Sequence, residues 1–201
     1  MRRPEFIARQ SARPSGILGR VIAWIMARET AGGNAAARRL LELAPTDHVL
    51  EIGFGHGHNV LEIARAVPDG LVAGIDHSAD MHALASALCG PLVASGRVRL
   101  SCADSSDLPY GDTTFDKAVA MNTLYFWPDP LRQLTELRRV LRHGGRLVLG
   151  FRPKDEASRD FPEAVYRFHA RADVEQMLAR AGFAKVRVEA LSSGFLLACA
   201  E

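Results

Sequence analysis

The run Val49-Leu-Glu-Ile-Gly-Phe-Gly-His-Gly57 constrains the fold more than any other stretch of this chain. A short apolar strand stops abruptly at glycines 53, 55 and 57. Glycine there lets the backbone take positive φ and approach a ligand with no Cβ in between. A helical pattern follows to about Val67, and the free N–H groups of its first turn suit a carboxylate or phosphate. Strand, glycine turn and helix in that order predict the opening of a βαβ unit.

The downstream rhythm continues the same theme. Gly70–Ile75 predicts a second strand, and a helix runs from about Ser78 to Leu88. Val98–Leu100 and Phe115–Ala120 predict the third and fourth strands. Asp129–Arg142 is amphipathic, with Leu131, Leu134, Leu137, Val140 and Leu141 on one face, and His143-Gly144-Gly145 is its expected stop. Arg146–Gly150 is then a fifth strand. Such alternation implies a parallel sheet covered by helices on both faces. The ending departs from it: a helix at Ala172–Ala181, a strand at Ala184–Ala190, a turn at Ser192–Gly194 and a strand at Phe195–Ala200 predict an antiparallel terminal hairpin.

Upstream, Pro4, Pro14 and Gly16 among arginines predict an irregular arm over residues 1–16. Ile17–Ala44 predicts two helices joined near Thr30–Asn34, where Gly32 and Gly33 fall. Ile17, Val21, Ile25 and Met26 form the stripe of the first, and Ala36, Leu40 and Leu41 that of the second. Residues 1–44 are therefore read as an arm and helical lid, and residues 45–201 as one α/β domain.

Composition narrows the class. Of 201 residues, 48% are hydrophobic and 24% charged, values of a folded domain rather than a disordered one. The net charge of +2 is unevenly spread: residues 1–39 carry eight Arg and two Glu, or +6, which leaves −4 for the rest. The basic segment is a candidate for contact with an anionic membrane surface, or simply a solvated helix face. Three separated cysteines without a CxxC pair predict neither a disulfide framework nor a zinc site, and no metal is expected. Ile17–Ala27, broken by Gly19 and Arg20, is too short to span a bilayer, so the chain is read as cytoplasmic, and as a monomer or homodimer.

The nicotinamide fingerprint G-x-G-x-x-G fits poorly, because His58 stands at its third glycine position. Instead Glu51-x-Gly53-x-Gly55-x-Gly57 resembles motif I of the class I S-adenosylmethionine-dependent methyltransferases, in their small-molecule, ubiquinone/menaquinone-methyltransferase-like branch. Gly74-Ile75-Asp76, Cys102-Ala-Asp104, Asn122 after the fourth strand, and Leu137-Arg-Arg-Val-Leu-Arg-His-Gly-Gly145 match the family's later motifs in order, with His143 in place of its usual proline. The resemblance covers about residues 46–200. It implies a Rossmann-like sheet of order 3-2-1-4-5-7-6 with an antiparallel last strand, and S-adenosylmethionine as cofactor. It places Asp76 on the ribose hydroxyls, a task suited to a group that accepts two donors at once, and Asp104 near the adenine amino group. Glu51, Gly53, Phe54, Gly55, Gly57, His58, His77, Ala103, Ser105 and Asn122 complete the expected cofactor site.

Methyl transfer from a sulfonium is an in-line displacement whose leaving group needs no proton, so positioning and water exclusion are the main demands. No catalytic residue is obligatory; His58, Tyr125, Tyr166 and His169 are the candidates for a base. Tyr125, Phe126 and Trp127 are an aromatic wall for a cation or a packing cluster. The family's N-P-P-Y loop, its paired-glutamate loop and its metal-binding carboxylates are absent, and no basic stripe suggests nucleic acid. A small-molecule acceptor is expected. A nicotinamide-dependent oxidoreductase and a non-catalytic cofactor-binding or membrane-associated protein remain as alternatives.

Overall fold

The computed structural model describes residues 3–155, 157–191 and 194–201, without the side chains of residues 20, 23, 24, 26, 27, 29 and 157. The expected place of Met26 on a helix stripe, and Ser192 and Ser193 of the terminal turn, lie outside the described part. Seven strands form one sheet: β1 (His48–Ile52), β2 (Leu71–Asp76), β3 (Val98–Cys102), β4 (Phe115–Met121), β5 (Leu141–Phe151), β6 (Arg187–Ala190) and β7 (Leu196–Ala200). Their order is β3-β2-β1-β4-β5-β7-β6. The first five run parallel, and β7 lies antiparallel between β5 and β6. This is the expected Rossmann-like architecture.

Helices cover both faces because the central strands are apolar on both. Against one face pack Leu134, Leu137 and Val140 of α6 (Pro130–Val140) and Val174 and Leu178 of α7 (Arg171–Arg180), over Leu50, Ile52, Ile75 and Ala120. Against the other pack Ala36, Ala37 and Leu41 of α2 (Gly16–Leu41), Val60 and Ile63 of α3 (His58–Ala66), and Ala85 of α4 (Ala79–Leu88). A short helix, α5 (Gly90–Ala94), leads into β3.

Three local expectations are corrected. Residues 1–16 are not wholly irregular: α1 (Glu5–Ala12) forms there, started by the Pro4 carbonyl and supported by the Arg9–Glu5 pair, with Ala8 buried. Pro is compatible with a helix start and is a breaker only further in. The expected break at Gly32-Gly33 is also absent; α2 runs unbroken through both. A Cβ on Gly33 would lie 3.4 Å from Met121 Cε, so the helix sits close over the sheet end, and its packing outweighs the roughly 1 kcal/mol a helical glycine costs. Finally, α6 stops at Val140, and His143-Gly144-Gly145 falls inside β5 as a bulge: Phe115 pairs with Leu141, but Lys117 with Arg146. Gly144 has φ +74°, and a Cβ on Gly145 would press on the carbonyls of Arg142 and Asp116.

Gly57 ends the glycine loop at φ +87°, where a Cβ would meet Ala85 Cβ at 2.7 Å and Ala85 Cα at 2.9 Å. It lets α3 start directly against α4. Gly57→Ala should therefore lower the unfolding free energy by about 2 kcal/mol or more, through left-handed strain and overpacking together. Urea denaturation of the two chains measures this.

Candidate functional site

All parallel strands end at one edge of the sheet, where an open α/β fold binds its ligands. A cavity of about 420 Å³ lies there, within the roughly 300–1,000 Å³ usual for small-molecule sites. The turn after β1 forms its floor. Gly53, Gly55 and Gly57 take φ of +74°, +55° and +87°. At Gly53 a side chain would collide with Thr123 Cγ2 at 2.2 Å, so glycine is required by the loop after β4. Gly55 has nothing within 4 Å of where a side chain would start.

Asp76, at the end of β2, fixes this loop. It is 8% exposed; its Oδ2 accepts from Gly55 N–H at 2.9 Å and its Oδ1 from Ser78 N–H at 2.9 Å. Each oxygen has a further lone pair, and the residue lines the cavity. Ser78 then caps α4, accepting from Met81 N–H. Asn122, directly after β4, lines the cavity at φ +59°, a left-handed conformation that costs energy in a non-glycine residue and is held here by Tyr125, whose hydroxyl donates to Asn122 Oδ1.

Glu51 is buried on β1 beneath the loop. Asn59 Nδ2 donates to its Oε1, and Arg38 of α2 donates in turn to Asn59 Oδ1. Burial pushes the Glu51 carboxyl up to about 8, against the opposing pull of the Asn59 hydrogen bond and the Arg38 charge. His56 is driven down to about 4, first by burial and then by the neighbouring His58, and is neutral at pH 7.

Four buried atoms without a protein partner, Glu51 Oε2, Asn34 Oδ1, Thr123 Oγ1 and Gln133 Oε1, all belong to residues lining this cavity. An unpaired buried polar atom is destabilising, and a ligand bearing complementary groups relieves it.

Of the residues expected from sequence, Glu51, Gly53, Phe54, Gly55, Asp76, His77, Ala103, Asp104, Ser105 and Asn122 line the cavity. Gly57 and His58 do not: Gly57 is buried behind the loop against α4, and His58 is exposed as the first residue of α3. Nor do the other proposed bases. Tyr125 and Tyr166 are buried in an aromatic cluster with Phe126, Phe161 and Phe168; burial raises the Tyr125 phenol, and Tyr166 accepts from Arg3. His169 has a buried Nε2 without a partner but stands away from the cavity, and burial lowers it. Phe126 and Trp127 do reach the wall.

Ser11–Pro14, Thr30 and Asn34 of the N-terminal segment also line the cavity, as do Asn59, Thr123 and Gln133, none of which the sequence singled out as a cofactor residue. One signal was available. Gln133 precedes Leu137 and Val140 by four and seven residues, which puts a carboxamide on the inner stripe of α6.

The family described as a methyltransferase domain matches residues 50–149, which contain the glycine loop, Asp76, Asp104 and Asn122. The chain belongs to the class I S-adenosylmethionine-dependent methyltransferases. The O-methyltransferase cnsE of Penicillium expansum is 29% identical over 167 residues, covering 79% of this chain and 60% of that one. The ubiquinone/menaquinone biosynthesis C-methyltransferase UbiE of Geotalea daltonii is 31% identical over 114 residues, 56% of this chain and 48% of that one. Among solved structures, the [4+2]-cyclase SpnF superposes with a TM-score of 0.70 at 29% identity, over 80% of this chain and 61% of that one. The chain thus spans about half the length of the curated relatives it matches.

The methyltransferase cofactor fits these residues. Asp76 offers free lone pairs for two vicinal hydroxyls, the bare Gly55 backbone allows close approach, and Glu51 Oε2 has no protein partner, in a buried carboxyl whose ionised form a ligand ammonium group would favour. Among the described residues no cluster of His, Cys, Asp and Glu is suited to a metal ion, and no helix is long and apolar enough to cross a membrane.

The carboxyl of Glu51 gives a pH signature. Below pH 4.5 both folded and unfolded chains hold its proton; from 4.5 to about 8 only the folded chain does. Stability should fall as pH rises through that window. Glu51→Gln removes the titration, so its stability relative to the parent should be greater at pH 8 than at pH 5, as measured by urea unfolding at both.

Proposed function

We propose that this chain transfers the methyl group of S-adenosylmethionine to a small-molecule acceptor. The cavity at the strand ends carries the reading: its floor is bare backbone, its middle holds the Asp76 carboxylate, and its polar depth holds Glu51 and Asn59. When bound, the cofactor supplies a methyl group activated on a positively charged sulfonium. The chain binds and orients it: Asp76 would hold the ribose, Glu51 the ammonium, and the Gly53–Gly55 backbone the methionine moiety. Asn122, fixed by Tyr125, would turn its backbone and amide toward the same ligand. Phe126 and Trp127 would wall off water beside the cation.

No tyrosine reaches the lining, and the histidines that do are His56 and His77. Catalysis by holding the acceptor in line with the methyl group is then the main device. Support for a small acceptor comes from the size of the cavity and from a relative named for ubiquinone and menaquinone biosynthesis.

The N-terminal helices support one further detail of the acceptor. Ile17, Leu18, Val21 and Ile25 of α2 and Phe6 of α1 are exposed, Ile17 to 82%, on the segment that carries the positive charge. An exposed apolar stripe beside basic residues suits an anionic interface, and favours an amphiphilic acceptor such as a quinone or lipid.

Two measurements test the reading. Asp76→Ala should weaken S-adenosylhomocysteine binding at least tenfold by calorimetry, in keeping with the roughly 1.5–3 kcal/mol of hydrogen bonds to a charged group; unchanged affinity counts against it. Release of S-adenosylhomocysteine should be sought across phenols, amines, thiols, quinones and lipids, with and without anionic vesicles. Turnover with none of these, in a chain that binds the cofactor, would leave a binding protein rather than an enzyme.

A further inference from the structure

The cavity straddles the end of the sheet, and its two halves differ in chemistry. Glu51, Asn59 and Asn34 lie on the side covered by α2 and α3, and make a polar, hydrogen-bonding half. Ile52 and Ile75 face the opposite side, where Ala103, Trp127 and the first turns of α6 enclose a flatter, apolar half. Asp76 stands between the two. Among the described residues, one side chain of that apolar half is both deeply buried and polar. Gln133 is 1% exposed, its Oε1 has no partner, and no hydrogen bond to its amide nitrogen occurs among the described residues.

The position of Gln133 is fixed. Its neighbour Arg132 donates from Nε to the Ser106 carbonyl, and Glu136, three residues on, accepts from Leu108 N–H. Both contacts pin the start of α6 to the loop after β3. Asp104 of that loop is exposed on the rim, and its Oδ1 already accepts from Ser106 N–H at 2.7 Å. The rim acid is therefore partly engaged, whereas the buried amide is wholly unengaged.

A carboxamide presents one acceptor beside one donor. The matching edge on a heterocycle is an amino group next to a ring nitrogen, the edge through which Asn and Gln recognise adenine. We propose that Gln133 is a specificity residue that reads the adenine base of the nucleoside held by Asp76, accepting from its 6-amino group and donating to the adjacent ring nitrogen. The proposal rests on the methyltransferase reading and adds to it the residue that selects the base.

Gln133→Met keeps the volume and removes both hydrogen-bonding atoms; Gln133→Ala is the second variant if methionine packs badly. Each is titrated calorimetrically with S-adenosylhomocysteine and with its 6-deamino analogue, in which hydrogen replaces the amino group. The parent should prefer the amino compound by about tenfold, the size of a good amide–base pair. In both variants that preference should shrink at least fivefold, while the ligand-free Tm holds or rises, because an unpaired buried amide has been removed. A variant that loses affinity equally for both ligands, or keeps the full preference, overturns the assignment and leaves Gln133 a packing residue. Failure of the parent chain to bind S-adenosylhomocysteine at all overturns the methyltransferase reading and this inference with it.

Discussion

The two hydrogen bonds accepted by Asp76 hold the site together. One joins the end of β2 to the glycine loop after β1, the other to the start of α4. A carboxylate can do this and still present lone pairs outward, so a single side chain sets the loop's shape and keeps an acceptor ready for ligand. Gly55 takes its positive φ where its amide donates to that carboxylate. The carboxylate that shapes the loop is the same one that lines the cavity, so a substitution at Asp76 alters both.

Strand alternation decides which kind of chemistry faces which end of the cavity. Consecutive residues of β1 point to opposite faces, so Glu51 belongs to the side of α2 and α3 while Ile52 belongs to the side of α6. The loop glycines cross between them. The cavity therefore offers a charged end and a more apolar end.

The sheet was legible because its strands are short apolar runs bounded by glycine, proline and aspartate, and their spacing leaves room for one helix between most pairs. Asp76, Asp104 and Asn122 were legible through the resemblance of the motifs that hold them, at or just past the ends of β2, β3 and β4. What failed did so where tertiary packing overrides a local rule. Gly33 reads as a breaker alone, yet it lets α2 press onto the sheet end near Met121. Tyr125 and Tyr166 read as candidates for a base, and Tyr125 equally as packing; their rings belong to an aromatic cluster and lie outside the cavity lining. Asn34 and Thr30 line the cavity because the N-terminal helix folds over it, and no local pattern announces which of its residues face inward.

The unpaired atoms of Glu51, Asn34, Thr123 and Gln133 also bear on how long such a chain survives in a cell. A fold that completes its internal hydrogen bonding only around a guest opens more often when the guest is scarce, and proteases act on the open form. Its abundance is then tied to the supply of the molecule it holds.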